Sequence, residues 1–221
     1  MTLARTLSVG VSILLLTLGH QSVGPAAALR SDLPYFSCST FPANESEADL
    51  VTRFGAKNVV DTLIEGGGAE GEMNPGTVLF PNQNDAKAEI FWNDRGARRN
   101  PDWILVKGGS SRWRSPAGVT LGTDLLTLEK LNGRPFRLLG FQYDSEGAVT
   151  SWAGGKLDAD MAMAIPACRL KVWLSPQASR NDLAAQKLEN QVVGTREYSS
   201  SHPAMQRLDP NVYQMFLLYE R

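Results

Sequence analysis

Histidine is almost missing from this chain. Only His20 and His202 occur in 221 residues, and His20 falls in an N-terminal segment expected to be removed. A Ser-His-Asp relay would therefore have to run on His202. That residue sits in "SSSHPAMQ", which reads as a loop carrying a lone surface histidine. Cysteine is equally scarce, with Cys38 and Cys168 alone. No Cys/His spacing of the kind that holds zinc occurs, so no metal or other cofactor is expected. An excess of positive charge is lacking too. Lys and Arg number 22 against 23 Asp and Glu, a net charge of −1. Phosphate-backbone binding needs a strong cationic excess, so nucleic acid is an unsuitable partner. The glycines at 66–68 and 71 have neither the lysine nor the strand–loop–helix setting of a phosphate cradle. No stretch after the N-terminus approaches the roughly 20 apolar residues needed to span a bilayer, so the mature chain is expected to have no transmembrane segment.

The N-terminus does carry a pattern. Arg5 precedes an apolar run from Val9 to Leu18, and Ala26, Ala27 and Ala28 offer a small-residue cleavage site before Leu29. A basic start, a short apolar core and small residues at a cut site describe a secretory signal peptide over 1–28. The mature protein is thus expected to be exported, periplasmic or secreted. In an oxidising compartment two cysteines invite a Cys38–Cys168 disulfide, worth ~2–5 kcal/mol for so long a loop. The alternative is a pair of free buried thiols. The context of Cys38, "YFSCST", lacks the small residues that precede a lipid-attached cysteine, so lipidation is not expected.

Periodicity then suggests the elements. Residues 29–44, punctuated by Pro34 and Pro42, read as an extended arm. Asn44 with Glu47 resembles a capping box for a helix through Leu50, Val51 and Phe54 that ends at Gly55. "NVVDTLIE", "TVLFP", "AEIFW", "DWILVKG", "FRLLGFQYD", "AVTSWAGG", "CRLKVWL" and "NVYQMFLLYE" read as strands. Leu121, Leu125, Leu128 and Leu131 form one helical stripe, with Thr123 as cap and Asn132-Gly133 and Pro135 as stop. A polar helix is expected over about 181–190. Helix, glycine and strand recur around Gly55 and Gly133, 78 residues apart. The expected class is therefore α+β: two modules of a short helix plus an antiparallel sheet, 45–118 and 119–221, packed as one unit with a C-terminal helix and strand.

Gly122, Thr123, Gly133 and Pro135, with Leu128 and Leu131 as buried helix positions, resemble the signature of a family of outer-membrane assembly lipoproteins. That family includes a small lipoprotein component of the β-barrel assembly machinery. The resemblance implies a helix packed on a small antiparallel sheet. The secreted β-lactamase-inhibitor proteins, similar in general build, place two such modules in tandem.

Two residue sets remain as candidate chemistry. The carboxylates Glu70, Glu72, Asp144, Glu146, Asp158 and Asp160 lie in loops, where a pair could hydrolyse a glycosidic bond. More simply, Asp144 and Glu146 satisfy turn backbone groups, and Glu70 and Glu72 keep a loop soluble. The segment 91–115 interleaves tryptophan with arginine, giving Arg95, Arg98, Arg99, Trp103, Arg112, Trp113 and Arg114 as a candidate binding set. Trp and Arg dominate binding hot spots, whereas tryptophans at strand ends can equally be core anchors. The leading expectation is a non-enzymatic binding protein of the cell envelope that recognises a protein or glycan through this Arg/Trp-rich face. The alternatives are a carboxylate-based hydrolase of cell-wall or extracellular polymers, and a structural or envelope-assembly factor.

Overall fold

The computed structural model describes residues 33–66, 71–142, 147–158, 168–177 and 182–220. The expected leader and its cleavage site before Leu29 lie outside the described residues. So do Glu70, Asp144, Glu146 and Asp160.

The fold is α+β, with antiparallel sheets dominant. Strands β1 (Val59–Glu65), β2 (Met73–Leu79), β3 (Ala88–Asp94), β4 (Arg99–Lys107), β9 (Asn211–Tyr219) and β7 (Cys168–Ser175) form a six-stranded sheet in that spatial order. Strands β6 (Val149–Ser151), β5 (Arg137–Leu139) and β8 (Glu197–Ser199) form a three-stranded sheet. Around them lie helices α1 (Glu47–Phe54), α2 (Leu125–Asn132), α3 (Leu183–Glu189) and α4 (Pro203–Leu208). Strand β9 crosses the division drawn at 118/119, pairing with β4 through Trp103↔Leu218 to Lys107↔Gln214. One hydrophobic core draws on residues from both sides of that division, Leu50 to Leu217. Among the described residues no helix is long and apolar enough to cross a membrane.

The helices form where apolar spacing and caps agree, though the caps differ from expectation. Helix α1 starts at Ser46 instead of Asn44. Ser46 Oγ accepts from the Asp49 N–H at 3.3 Å while Asp49 Oδ2 accepts from the Ser46 N–H at 3.0 Å, a reciprocal capping box. Helix α2 is capped by Asp124, whose carboxylate accepts from the Thr127 N–H at 2.6 Å. Thr123, the expected cap, instead accepts from the Thr120 N–H at 3.1 Å in the preceding turn. The stop is as read: Gly133 adopts φ +77°, and its N–H donates to Glu129 O at 2.8 Å. Leu125 and Leu128 are fully buried and Leu131 packs against the core. The loop expected around His202 is the start of α4. There His202 Nδ1 accepts from the Ala204 N–H and Pro203 occupies the first turn, where a missing N–H costs nothing.

The N-terminal arm is built into the core. Phe36, Phe41, Phe54 and Phe80 surround Trp113, with ring centroids 5.5 to 6.3 Å apart in tilted and edge-on pairs. Cys38 and Cys168 form a disulfide with their Cα atoms 5.9 Å apart, joining the arm to β7. Tyr219 of β9 donates its hydroxyl to Phe41 O at 2.8 Å beside this link.

Candidate functional site

Strand register fixes what each face of the large sheet presents. Side chains paired across strands share a face. One row runs Asp61, Thr77, Ile90, Ile104, Leu217, Leu170; its last four residues belong to the core, whereas Asp61 on the edge strand is exposed. The next rows over face outward. Thr62, Gly76, Phe91, Trp103, Leu218 and Arg169 form one of them. Val60, Val78, Glu89, Leu105, Phe216 and Lys171 form the second, and Lys107, Gln214 and Trp173 a third.

This outer face is aromatic and apolar at its centre. Trp103 stacks on Phe91 at 4.5 Å, and Trp173 lies 4.8 Å from Phe216. Leu218 is 38 % exposed and Val60 39 %. Buried residues of α1, α2 and α4 (Leu50, Leu125, Leu128, Met205) all belong to the main core. The cluster on the outer side, Ile64, Val78 and Phe91 with Trp103 against it, is made only of strand residues. An antiparallel sheet with one face packed and one solvated normally carries polar residues outside, so the aromatic residues on this outer face depart from that pattern. Its charged rim is mostly cationic. Lys87 and Lys107 each approach buried Glu89 at 3.0 Å, with Lys171 and Arg169 on β7. Lys87, Lys107, Glu89 and Leu105, with Gly108–Ser110, line an open groove of about 430 Å³.

The Arg/Trp set is dispersed rather than gathered. Trp103 lies on the outer face. Trp113 is fully buried and donates its indole N–H to Ala86 O at 2.7 Å, so it is a core anchor and cannot contact a ligand. Arg95 donates to Asn74 Oδ1 at 3.1 Å. Arg98, at φ +48° in the β3–β4 turn, faces the core side and forms ion pairs with Asp61 and Glu47. Arg99 is exposed near the start of α1. Arg112 pairs with Asp85 at 3.2 Å and Gln83 at 2.7 Å, and Arg114 is exposed, its carbonyl accepting from the Phe36 N–H. Nine-residue β4 separates the Arg95–Arg99 turn from Arg112–Arg114 by roughly 25 Å at the usual strand rise.

The shifted carboxyls have structural partners. Burial pushes the Glu45 carboxyl up, partly offset by the Arg53 guanidinium. Arg53 also lies over the Phe41 and Phe54 rings at 5.4 and 5.1 Å. Hydrogen bonds from Ser46 hold Asp49 low, with the charges of Arg53 and Arg99 adding less. Burial works against the charge of Asp124, but the Thr127 N–H and hydroxyl outweigh it and hold that carboxyl below its usual value. Asp158 lies in a helical turn that begins at Lys156, not in the loop expected for it, and its carboxylate accepts from the Gly154 N–H at 2.6 Å. Among the described residues no group of three His, Cys, Asp or Glu could hold a metal ion.

Comparison with family models, with curated proteins and with solved structures gives no match. The chemistry of the site therefore rests on its own geometry. The outer face also carries Lys107, Lys171, Trp173 and Phe216, which sequence reasoning did not single out. The signal was present in "CRLKVWL", where Arg169, Lys171 and Trp173 fall two apart on one face of a strand whose other face is Cys168, Leu170, Val172 and Leu174.

Proposed function

We propose that this is an exported, non-enzymatic binding protein of the bacterial cell envelope that recognises a protein or glycan through the outer face of the six-stranded sheet. The observation that carries the reading is the solvent-facing band of Trp103, Leu218, Phe216 and Trp173, rimmed by Lys107, Lys171 and Arg169. Flat aromatic rings stack on sugar faces or apolar side chains at small entropic cost, and the flanking ammonium groups favour an anionic ligand. Export is supported by the leader-like N-terminus and by a buried disulfide of the kind that persists in oxidising compartments.

The test compares three immobilised proteins, wild type, a Trp173→Ala/Lys107→Glu double variant and Arg114→Ala, exposed to solubilised envelope and to envelope glycans. Near-UV circular dichroism confirms that each is folded. The reading predicts retention of a ligand by wild type and Arg114→Ala and its loss by the double variant. Equal retention by all three rejects this face. Fractionation of cells expressing the full chain tests export, and a cytoplasmic, uncleaved product would refute it.

A further inference from the structure

The two sheets meet at one corner and separate from there. Ala148 bridges Trp173, and the Leu174 N–H donates to Gly147 O at 3.0 Å. Beyond the corner β6 and β7, each the edge strand of its sheet, diverge around a groove of about 490 Å³. Its inner wall is Val149, Trp152, Leu170 and Val172, and Arg169 and Lys171 stand on its outer rim. Backbone groups along an antiparallel strand alternate in direction. Since the Leu174 N–H faces β6, Val172 and Leu170 turn their N–H and C=O groups the same way. Past the corner, among the described residues, none pairs with Leu170 on that side. An open strand edge is a template for another strand.

We infer that this groove accepts an extended peptide as an added strand along β7, with an acidic side chain opposite Lys171. Strand addition draws affinity from main-chain hydrogen bonds and specificity from alternate side chains. Here the inward set would meet aliphatic and indole surface, so apolar residues fit. The outward set would meet the β7 cations. Arg169 is already held by Glu220 at 2.5 Å, and the Asp158 carboxylate is engaged by the Gly154 N–H. Lys171 makes no ion pair with any described residue, so an acidic side chain opposite it meets a free ammonium group in a groove whose two cations and two carboxylates otherwise balance. A sugar cannot supply the alternating amides that this edge matches. The inference goes beyond the outer-face reading above, names an extended peptide as partner, and uses a groove that Trp103 does not line.

The test uses the full mature chain and a fluorescein-labelled peptide TVEVEVT in fluorescence anisotropy. Saturable binding is expected. N-methylation at one set of alternate peptide amides should weaken it at least about tenfold, and at the other set leave it unchanged. Lys171→Glu should weaken the acidic peptide by about fivefold and shift preference to TVKVKVT. Leu183→Ala, an exposed position that lines neither the groove nor the outer face, should bind the peptide as wild type does. Absence of saturable binding overturns the inference, as does binding indifferent to both N-methyl register and Lys171→Glu. If peptide binding persists while the face variants still retain all envelope ligands, the groove stands and the outer-face reading falls.

Discussion

Opening the Cys38–Cys168 bridge should destabilise this protein more than any single surface change. The bridge spans 130 residues. The chain-entropy relation gives about 5 kcal/mol for a loop of that length, with measured losses of ~2–5 kcal/mol. Both cysteines are 1 % exposed, so a Cys38→Ala/Cys168→Ala double variant avoids burying an unsatisfied hydroxyl. The structure gives the loss a location. The arm carrying Phe36, Phe41 and Cys38 packs on Trp113, and without the bridge only that aromatic packing and a few hydrogen bonds hold it against β7. The assay is urea unfolding by circular dichroism for oxidised wild type, reduced wild type and the double variant. A fall in stability of at least about 2 kcal/mol is expected, with a larger m-value because the uncrosslinked unfolded chain exposes more surface. A difference below about 1 kcal/mol with unchanged m would refute the reasoning.

Three other perturbations probe separate parts of the account. Trp113→Ala should cost about 3–5 kcal/mol in the same assay, because the indole fills the centre of the aromatic cluster; a change under 1 kcal/mol, the size typical of a surface residue, would mean that Trp113 is not a core anchor. Gly147→Ala should break the corner between the sheets, since Gly147 has φ +64° and a Cβ there would lie 1.7 Å from Leu174 O; faster hydrogen exchange at the Leu174 amide is expected, and unaltered exchange counts against that corner. Asp124→Asn keeps a capping oxygen but removes its charge. The folded-state carboxyl titrates below the usual 3.8, so its contribution is present above pH 3.8 and lost as pH falls through the lower folded value. The variant should be less stable by about 0.5 kcal/mol at pH 7 and indistinguishable at the lowest pH; a constant gap would contradict the assignment.

Much of the fold was legible because local chemistry and global packing agree. The alternation in "CRLKVWL" and "NVYQMFLLYE" is that of strands half-buried in a sheet, and β7 and β9 occupy those segments. The leucine stripe of α2 and the αL stop at Gly133 were readable for the same reason. Cap positions were misjudged by one or two residues because Asn44, Ser46, Thr123 and Asp124 all carry suitable oxygens, and only tertiary entry geometry selects among them. Helix α4 escaped notice because six residues give too little periodicity, and its start uses a histidine nitrogen as cap. The site was harder to read. Arg95 to Arg114 are neighbours in sequence, yet β4 carries the chain the full length of the sheet between them. The outer face instead joins Trp103 to Leu218 and Phe91 to Arg169 across strands far apart in the chain, and no local pattern encodes that pairing.

The central claim is that ligand contacts the aromatic outer face of the six-stranded sheet, and hydroxyl-radical footprinting tests it most directly. Mature protein is oxidised alone and together with the envelope component it retains, and side-chain labelling is read by mass spectrometry. The account predicts that the ligand protects Trp103, Trp173, Phe216 and Leu218 while exposed Tyr35 and Leu183, away from that face, label unchanged. Protection confined to other surfaces, with Trp103 and Trp173 labelled as in the free protein, would contradict it.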